Sequence, residues 1–221
     1  MSQISRMKKL IFLITISSVL VQCSPKLIPV HKEPFHRPVH QSKNARVLDI
    51  RFPPGDTCLF HEHANNYCYI MLKGGKLATQ DPEKDFKEFT LPDAYSGGDF
   101  DVPMIPNTHR IANLDTDTLR FMAVENLRPT THPIYKYHEH PYQTLIENNK
   151  VFRMVKIELP INGKHEMNFN TPTLLVNRLE RPFILNDSHV NSTWNWWEYG
   201  AEISIQNLQK DTLELHAISL K

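Results

Sequence analysis

Apolar and polar residues in this chain alternate over short runs, with no helical stripe. Val47, Leu48, Ile50 and Phe52 make one run, closed by Pro53-Pro54-Gly55, and Tyr67-Cys68-Tyr69-Ile70-Met71-Leu72 makes another, ended by Gly74-Gly75. Such runs, rich in β-branched and aromatic residues and bounded by turn formers, predict strands. A strand between them carries His61 and His63, and Ala64-Asn65-Asn66 supplies a turn. A hairpin spans Phe100 to Ile111, and Leu119 to Val124 is the last strand of this set, whereas residues 80–97 read as a polar loop. The expected class is all-β.

The pattern occurs twice. Arg46-Val-Leu-Asp-Ile-Arg-Phe52 returns as Arg153-Met-Val-Lys-Ile-Glu-Leu159, and the same offset sets Asn168 and Asn170 against His61 and His63. Asn113-Leu-Asp-Thr-Asp-Thr-Leu-Arg-Phe-Met-Ala-Val-Glu125 returns as Asn207-Leu-Gln-Lys-Asp-Thr-Leu-Glu-Leu-His-Ala-Ile-Ser219 at a shorter offset, which places Ile203 against His109. Two blocks in the same order indicate a duplicated β domain. The shortening falls in the region equivalent to residues 80–97, where a change of loop length costs little. The boundaries read as 44–127 for the first copy, 128–143 for a linker and 144–221 for the second copy. Residues 24–43, rich in Pro, His and Lys, read as a tether with a late strand.

The beginning of the chain changes the setting. Lys8 and Lys9 precede an apolar run that ends at Cys23, the pattern of an export signal over residues 1–23 and too short for a comfortable membrane span. Leu20-Val-Gln-Cys23 resembles a bacterial lipobox. That resemblance implies a lipid anchor on Cys23 and a home in the outer membrane or periplasm. A net charge of +1 with interspersed signs gives no nucleic-acid surface, and three cysteines make no disulfide framework.

The candidate chemistry is a metal site. His61 and His63 lie two apart on a strand, so both imidazoles face one side and can bind one ion. Two imidazoles leave a transition metal short of ligands, and His109 in Pro106-Asn-Thr-His-Arg-Ile-Ala-Asn113 is the candidate for the third. A second His-x-His, His138-Glu-His140, lies in the proline-framed linker and reads as solvated chain. Trp194-Asn-Trp-Trp197 reads as filling for a barrel mouth or a domain interface.

Gly55, His61, His63, Tyr67 and Gly74 are spaced like the first motif of the cupins. Gly98, Pro106, His109 and Asn113 are similar to the second motif. The resemblance covers both repeats and implies two tandem cupin barrels (a bicupin), with His61, His63 and His109 holding a divalent transition metal: Fe first, with Mn, Ni, Cu or Zn as alternatives. Tyr67 stands where cupins usually carry a glutamate ligand. If Tyr67 faces inward, the site is three histidines beside a phenol. If Cys68 does, it is similar to thiol dioxygenases. Strand alternation favours Tyr67.

Three imidazoles leave positions free for a small-molecule substrate and dioxygen, so oxygenase-like chemistry with Tyr67 as the catalytic side chain is one expectation. The other is a non-catalytic envelope module that binds a metal, a sugar or a partner. The resemblance also admits a homodimer.

Overall fold

A computed structural model describes residues 27–102, 106–129, 137 and 139–221. The export signal with Cys23, and His138, lie outside the described residues.

The first copy comprises β1 (Ile28–Pro29), β2 (His36–Gln41), β3 (Ala45–Phe52), β4 (His61–His63), β5 (Tyr67–Lys73), β6 (Gly75–Gln80), β7 (Lys87–Leu91), β8 (Ser96–Asp99), β9 (Asn107–Asn113) and β10 (Leu119–Asn126). The second comprises β11 (Gln143–Asn148), β12 (Phe152–Leu159), β13 (Lys164–Phe169), β14 (Thr173–Val176), β15 (Phe183–Leu185), β16 (Ser188–Val190), β17 (Trp194–Trp197), β18 (Ala201–Asn207) and β19 (Leu213–Leu220). One sheet of the first copy runs β2-β3-β10-β5-β8 and the other β1-β4-β9-β6-β7. In the second copy the orders are β11-β12-β19-β14-β17 and β13-β18-β15-β16. Apart from β1, the two copies match strand for strand. The repeat seen in the sequence is a repeat of topology.

Side-chain alternation drives each copy to close on itself. In the first, Leu48, Ile50 and Phe52 of β3 and Phe121 of β10 pack against Leu77 of β6 and Ile111 of β9, so both sheets contribute to one interior. The opposite face of β3, β5 and β10 is apolar too. Its Val47, Cys68, Ile70 and Val124 meet Phe152, Met154, Leu174 and Ile218 of the second copy in one shared core. The barrels are thus joined by buried apolar surface, with Trp194 and Trp196 packed at its margin. Cys58 and Cys68 are both buried free thiols.

Three details differ from the sequence reading. Residues 24–43 are not merely a tether, since the described part is built into the first barrel. There β1 pairs in parallel with β4, β2 pairs with β3, and Val30, Glu33 and His36 are buried. Its aperiodic look has a cause: β2 is an outer strand whose register breaks between Pro38 and His40, where proline can be accommodated. Residues 80–97 are not a plain loop either. They hold β7 and the start of β8, and the outermost strand β7 turns only Phe89 and Leu91 inward, too short an alternation to stand out in the sequence.

The third difference concerns the offset between copies. Ladder pairing of β3 with β10 and of β12 with β19 agrees with the sequence alignment, Phe52 opposite Leu119 and Leu159 opposite Leu213. Gly55 and Asn162 occupy the same place in the following turn, both with positive φ (76° and 58°), which glycine and asparagine tolerate best. Beyond that turn the second copy is a residue shorter. His61 pairs with His109, but Ile203 pairs with Met167, not with Asn168. The ladder equivalents of His61 and His63 are therefore Met167 and Phe169. Asn168 and Asn170 point to solvent, as a one-residue slip on a strand requires. The rest of the shortening is spread over the later connections of the second copy and is not confined to one loop.

Candidate metal centre

β4 and β9 are antiparallel neighbours, and their pairing puts His61 directly opposite His109, with His63 opposite Asn107. One nitrogen from each of His61, His63 and His109 lies within 4.8 Å of the others. Ring centroids stand 5.1 Å apart for His61 and His63, 4.7 Å for His61 and His109, and 5.0 Å for His63 and His109. Two rings are fixed through Nδ1. His61 Nδ1–H donates to the Leu59 carbonyl at 3.0 Å, and His109 Nδ1–H donates to Asn107 Oδ1 at 3.0 Å. Those bonds leave Nε2 of each ring as a lone pair. His61 Nε2 and both His63 nitrogens are buried without a hydrogen-bond partner. Orphaned buried imidazole nitrogens that converge fit a divalent ion chemically, because an ion would supply the partner each lacks.

Electrostatics favour the neutral, ligating form. Burial, and then the neighbouring His36 and His109, depress His61 to about 2. Burial chiefly, with His109 and His61 adding, holds His63 well below the ordinary histidine value. His109 is lowered to about 4 by burial and by His36.

Tyr67 faces the interior. Its ring stacks on His63 with centroids 4.0 Å apart, and its hydroxyl accepts from Asn107 Nδ2 at 3.3 Å. Burial raises its pKa above the usual phenol value, so it stays protonated. Cys68 turns the other way into the core between barrels, where burial raises its thiol well above the ordinary range. The structure thus separates the two registers left open by spacing. Gly98 of β8 has its own local reason, since a Cβ there would run into the backbone of Tyr67 and Cys68.

Beside the histidines lies a cavity of about 270 Å³. Phe52, Tyr69, Phe89 and Phe121 line it along with His63 and His109, and Asp81 and Asn107 sit where it meets a wider outer cleft. Glu125, opposite Tyr67 on β10, also lines the cavity. Its carboxylate accepts from Arg46 Nη1 at 2.6 Å and from Asn65 Nδ2 at 3.3 Å.

Solved structures share this architecture. The cupin 2 conserved barrel domain protein from Leptotrichia buccalis superposes with a TM-score of 0.51 at 10% identity, over 82% of this chain and 86% of that one. The fold is that of a bicupin. Bacterial pirin YhhW from Escherichia coli, in complex with nickel(II), aligns over 80% of this chain and 82% of its own length, at a TM-score of 0.55 and 12% identity. A salicylate 1,2-dioxygenase from Pseudaminobacter salicylatoxidans aligns over 80% and 71%, at 0.55 and 10%. These are likenesses of architecture. No family model and no curated protein matches the sequence.

Among the described residues, only the first barrel gathers three histidines. The second is filled at the equivalent positions by Met167, Phe169 and Ile203, all packed in its core. Arg110 points out of the first barrel and lies over the rings of Phe60 and Phe86. His140 packs its ring against that of His165, centroids 4.0 Å apart and planes tilted by 41°, so it lies against the second barrel and is not plain solvated chain. Sequence reasoning missed one residue altogether. His36, in the supposed tether, lines the cavity with its ring 4.3 Å from that of His61. Nothing in its local pattern marks it, because the ladder and not the sequence brings it there.

Proposed function

We propose that this protein is a cupin-type metalloprotein whose first barrel holds a divalent transition metal, Fe first, for oxygenase-like chemistry on a small molecule. The observation that carries the reading is the convergence of three imidazoles, those of His61 and His63 buried with orphaned nitrogens and that of His109 half-buried, beside a cavity. His61, His63 and His109 would hold the ion, which when bound supplies a Lewis acid and sites for dioxygen and substrate.

The chain's own residues set the rest. An apolar, aromatic wall around about 270 Å³ suits a molecule of roughly one ring, and excludes bulk water from its reacting end. With no carboxylate among the three ligands, the site attracts an anionic oxygen of that molecule. Tyr67, protonated and fixed against His63, is placed to donate a hydrogen bond to an oxygen bound beside it. We also propose export and a lipid anchor on Cys23, which would display the barrels at the bacterial outer membrane or in the periplasm, and a homodimer as the assembly.

Metal analysis of the purified chain beside His61→Ala tests the reading. A stoichiometric transition metal in the parent and its loss in the variant is the expected result, followed by oxygen uptake when the iron-loaded parent meets small aromatic carboxylates. Equal metal in both proteins, or none in either, rejects the metal site. Stoichiometric metal without oxygen uptake on any such compound favours the binding-module reading.

A further inference from the structure

Resting on that reading, we infer that His36 is a fourth protein ligand of the metal and that Glu33 is the carboxylate that orients it. Together they take over the part left open where Tyr67 stands in place of a glutamate.

Glu33 and His36 follow the turn Val30–Lys32 and are both buried, 2% exposed each. The Glu33 carboxylate accepts His36 Nδ1–H at 2.6 Å, the Phe35 amide at 2.7 Å and the Leu59 amide at 3.2 Å. The first bond fixes the tautomer, so Nε2 of His36 carries the lone pair. His36 therefore has the same arrangement as His61 and His109, with Nδ1 tied down and Nε2 free, and it lines the same cavity. A buried carboxylate behind a histidine is the usual support for a metal ligand.

Ring spacing agrees. With metal–nitrogen bonds of about 2.1 Å, centroids of imidazoles on one ion fall roughly 4.5 Å apart for adjacent ligands and about 6.4 Å apart for opposite ones. His36 is 4.3 Å from His61 and 6.5 Å from His63, whereas the three rings of the tight group are 4.7–5.1 Å apart. His36 thus approaches the group from the His61 side.

Charge is the second argument. A glutamate in the Tyr67 position would have been one negative group in direct contact with the ion. Here the only carboxylate bonded to any of these four histidines, among the described residues, is Glu33, one imidazole further out. Four neutral nitrogen donors with a carboxylate behind one of them keep the negative group of the donor set but move it away from the open coordination positions. That arrangement keeps a carboxylate out of the ion's immediate donor set, while Glu125, paired with Arg46, and Asp81 line the cavity.

The anchoring of this pair is structural as well. The parallel pairing of Ile28 with His61, and the Leu59 amide on Glu33, bind the N-terminal segment to the strand that carries two other ligands. This segment has no ladder counterpart of β1 in the second barrel, which also has no histidine cluster among its described residues.

Cobalt(II) titration of the purified full chain decides the matter, with affinity read by chelator competition and coordination by visible absorption. His36→Ala, His36→Gln and Glu33→Gln are compared with the parent and with His61→Ala. The expected result is weaker binding in both His36 variants with a changed absorption band. Glu33→Gln should lose about 10–100-fold in affinity, the usual effect of removing a supporting partner. Circular dichroism melts show which variants are folded, and Glu33→Gln, nearly isosteric, carries the test if both His36 variants unfold. If the parent binds cobalt while the folded variants keep its affinity and spectrum, this inference is overturned and the three-histidine reading stands. If the parent binds no cobalt, the three-histidine reading itself fails and takes this one with it.

Discussion

His216 shows at residue scale how burial sets acid sensitivity. It sits on β19, 1% exposed, with Nδ1 unpartnered. Burial first, and then Arg178 and Lys156, lower it from 6.5 to about 4. The folded state therefore binds fewer protons than the unfolded state between those values. Its contribution is complete above pH 6.5 and is lost as pH falls toward 4. Each unit in that window is worth about 1.4 kcal/mol, so His216 alone should cost about 2 kcal/mol between pH 7.5 and pH 5. Urea melts at the two pH values check this; His61, His63 and His109 are lowered as well and act in the same direction, so His216→Gln should lessen the loss by about 2 kcal/mol without abolishing it. An equally steep loss in the variant would assign the acid sensitivity elsewhere.

At the scale of elements, the two copies are pinned by the same device. Asn113 Nδ2 donates to the carbonyls of Phe52 and Asp117, both at 2.8 Å, and Asn207 Nδ2 donates to Leu159 at 3.0 Å and Asp211 at 2.8 Å. Each amide ties the end of one strand to the start of the next turn and thereby sets the register of β9 or β18. In the first barrel that register builds the histidine group, because it puts His109 opposite His61. Removing either amide leaves buried carbonyls unpaired, which costs about 1–3 kcal/mol. Asn113→Ala and Asn207→Ala should lower stability by similar amounts in denaturant melts, while only Asn113→Ala should also weaken metal binding. A metal effect from Asn207→Ala would contradict the assignment of one site to one barrel.

The whole molecule behaves as one unit because its barrels share a core. Val47, Cys68, Ile70 and Val124 from the first barrel and Phe152, Met154, Leu174 and Ile218 from the second are all buried together. Separating the barrels would expose this entire surface, so neither should survive alone under conditions that unfold the other. Two probes can test it. Trp194 and Trp196 sit at the seam and Trp197 packs in the second barrel, so a chain keeping Trp197 alone (Trp194→Phe with Trp196→Phe) reports on the second barrel, and bound cobalt reports on the first. Their urea transitions should coincide. Two separate midpoints would mean that the shared core does not couple the barrels.

The sequence by itself determined the all-β class, the duplication and the His61, His63 and His109 trio. Alternation on strands and a repeated order of blocks are local signals, written in spacing. It also favoured Tyr67 over Cys68, since period two was enough once the flanking strand was identified. Burial of both strand faces around Cys68 then gave the reason, with one face on the cavity and the other on the second barrel. What only the tertiary structure decided lies where a pattern is interrupted or borrowed. The outer strands β2 and β7 have a bulge at Pro38 or only Phe89 and Leu91 turned inward, so their apolar trace in the chain is too short to read. A single missing residue after Asn162 moved Met167 and Phe169, not the asparagines, into the second barrel, because one step along a strand reverses every side chain. His36 and Glu33 became part of the site only through the pairing of β1 with β4 and the long-range bond from Leu59, which no local spacing encodes.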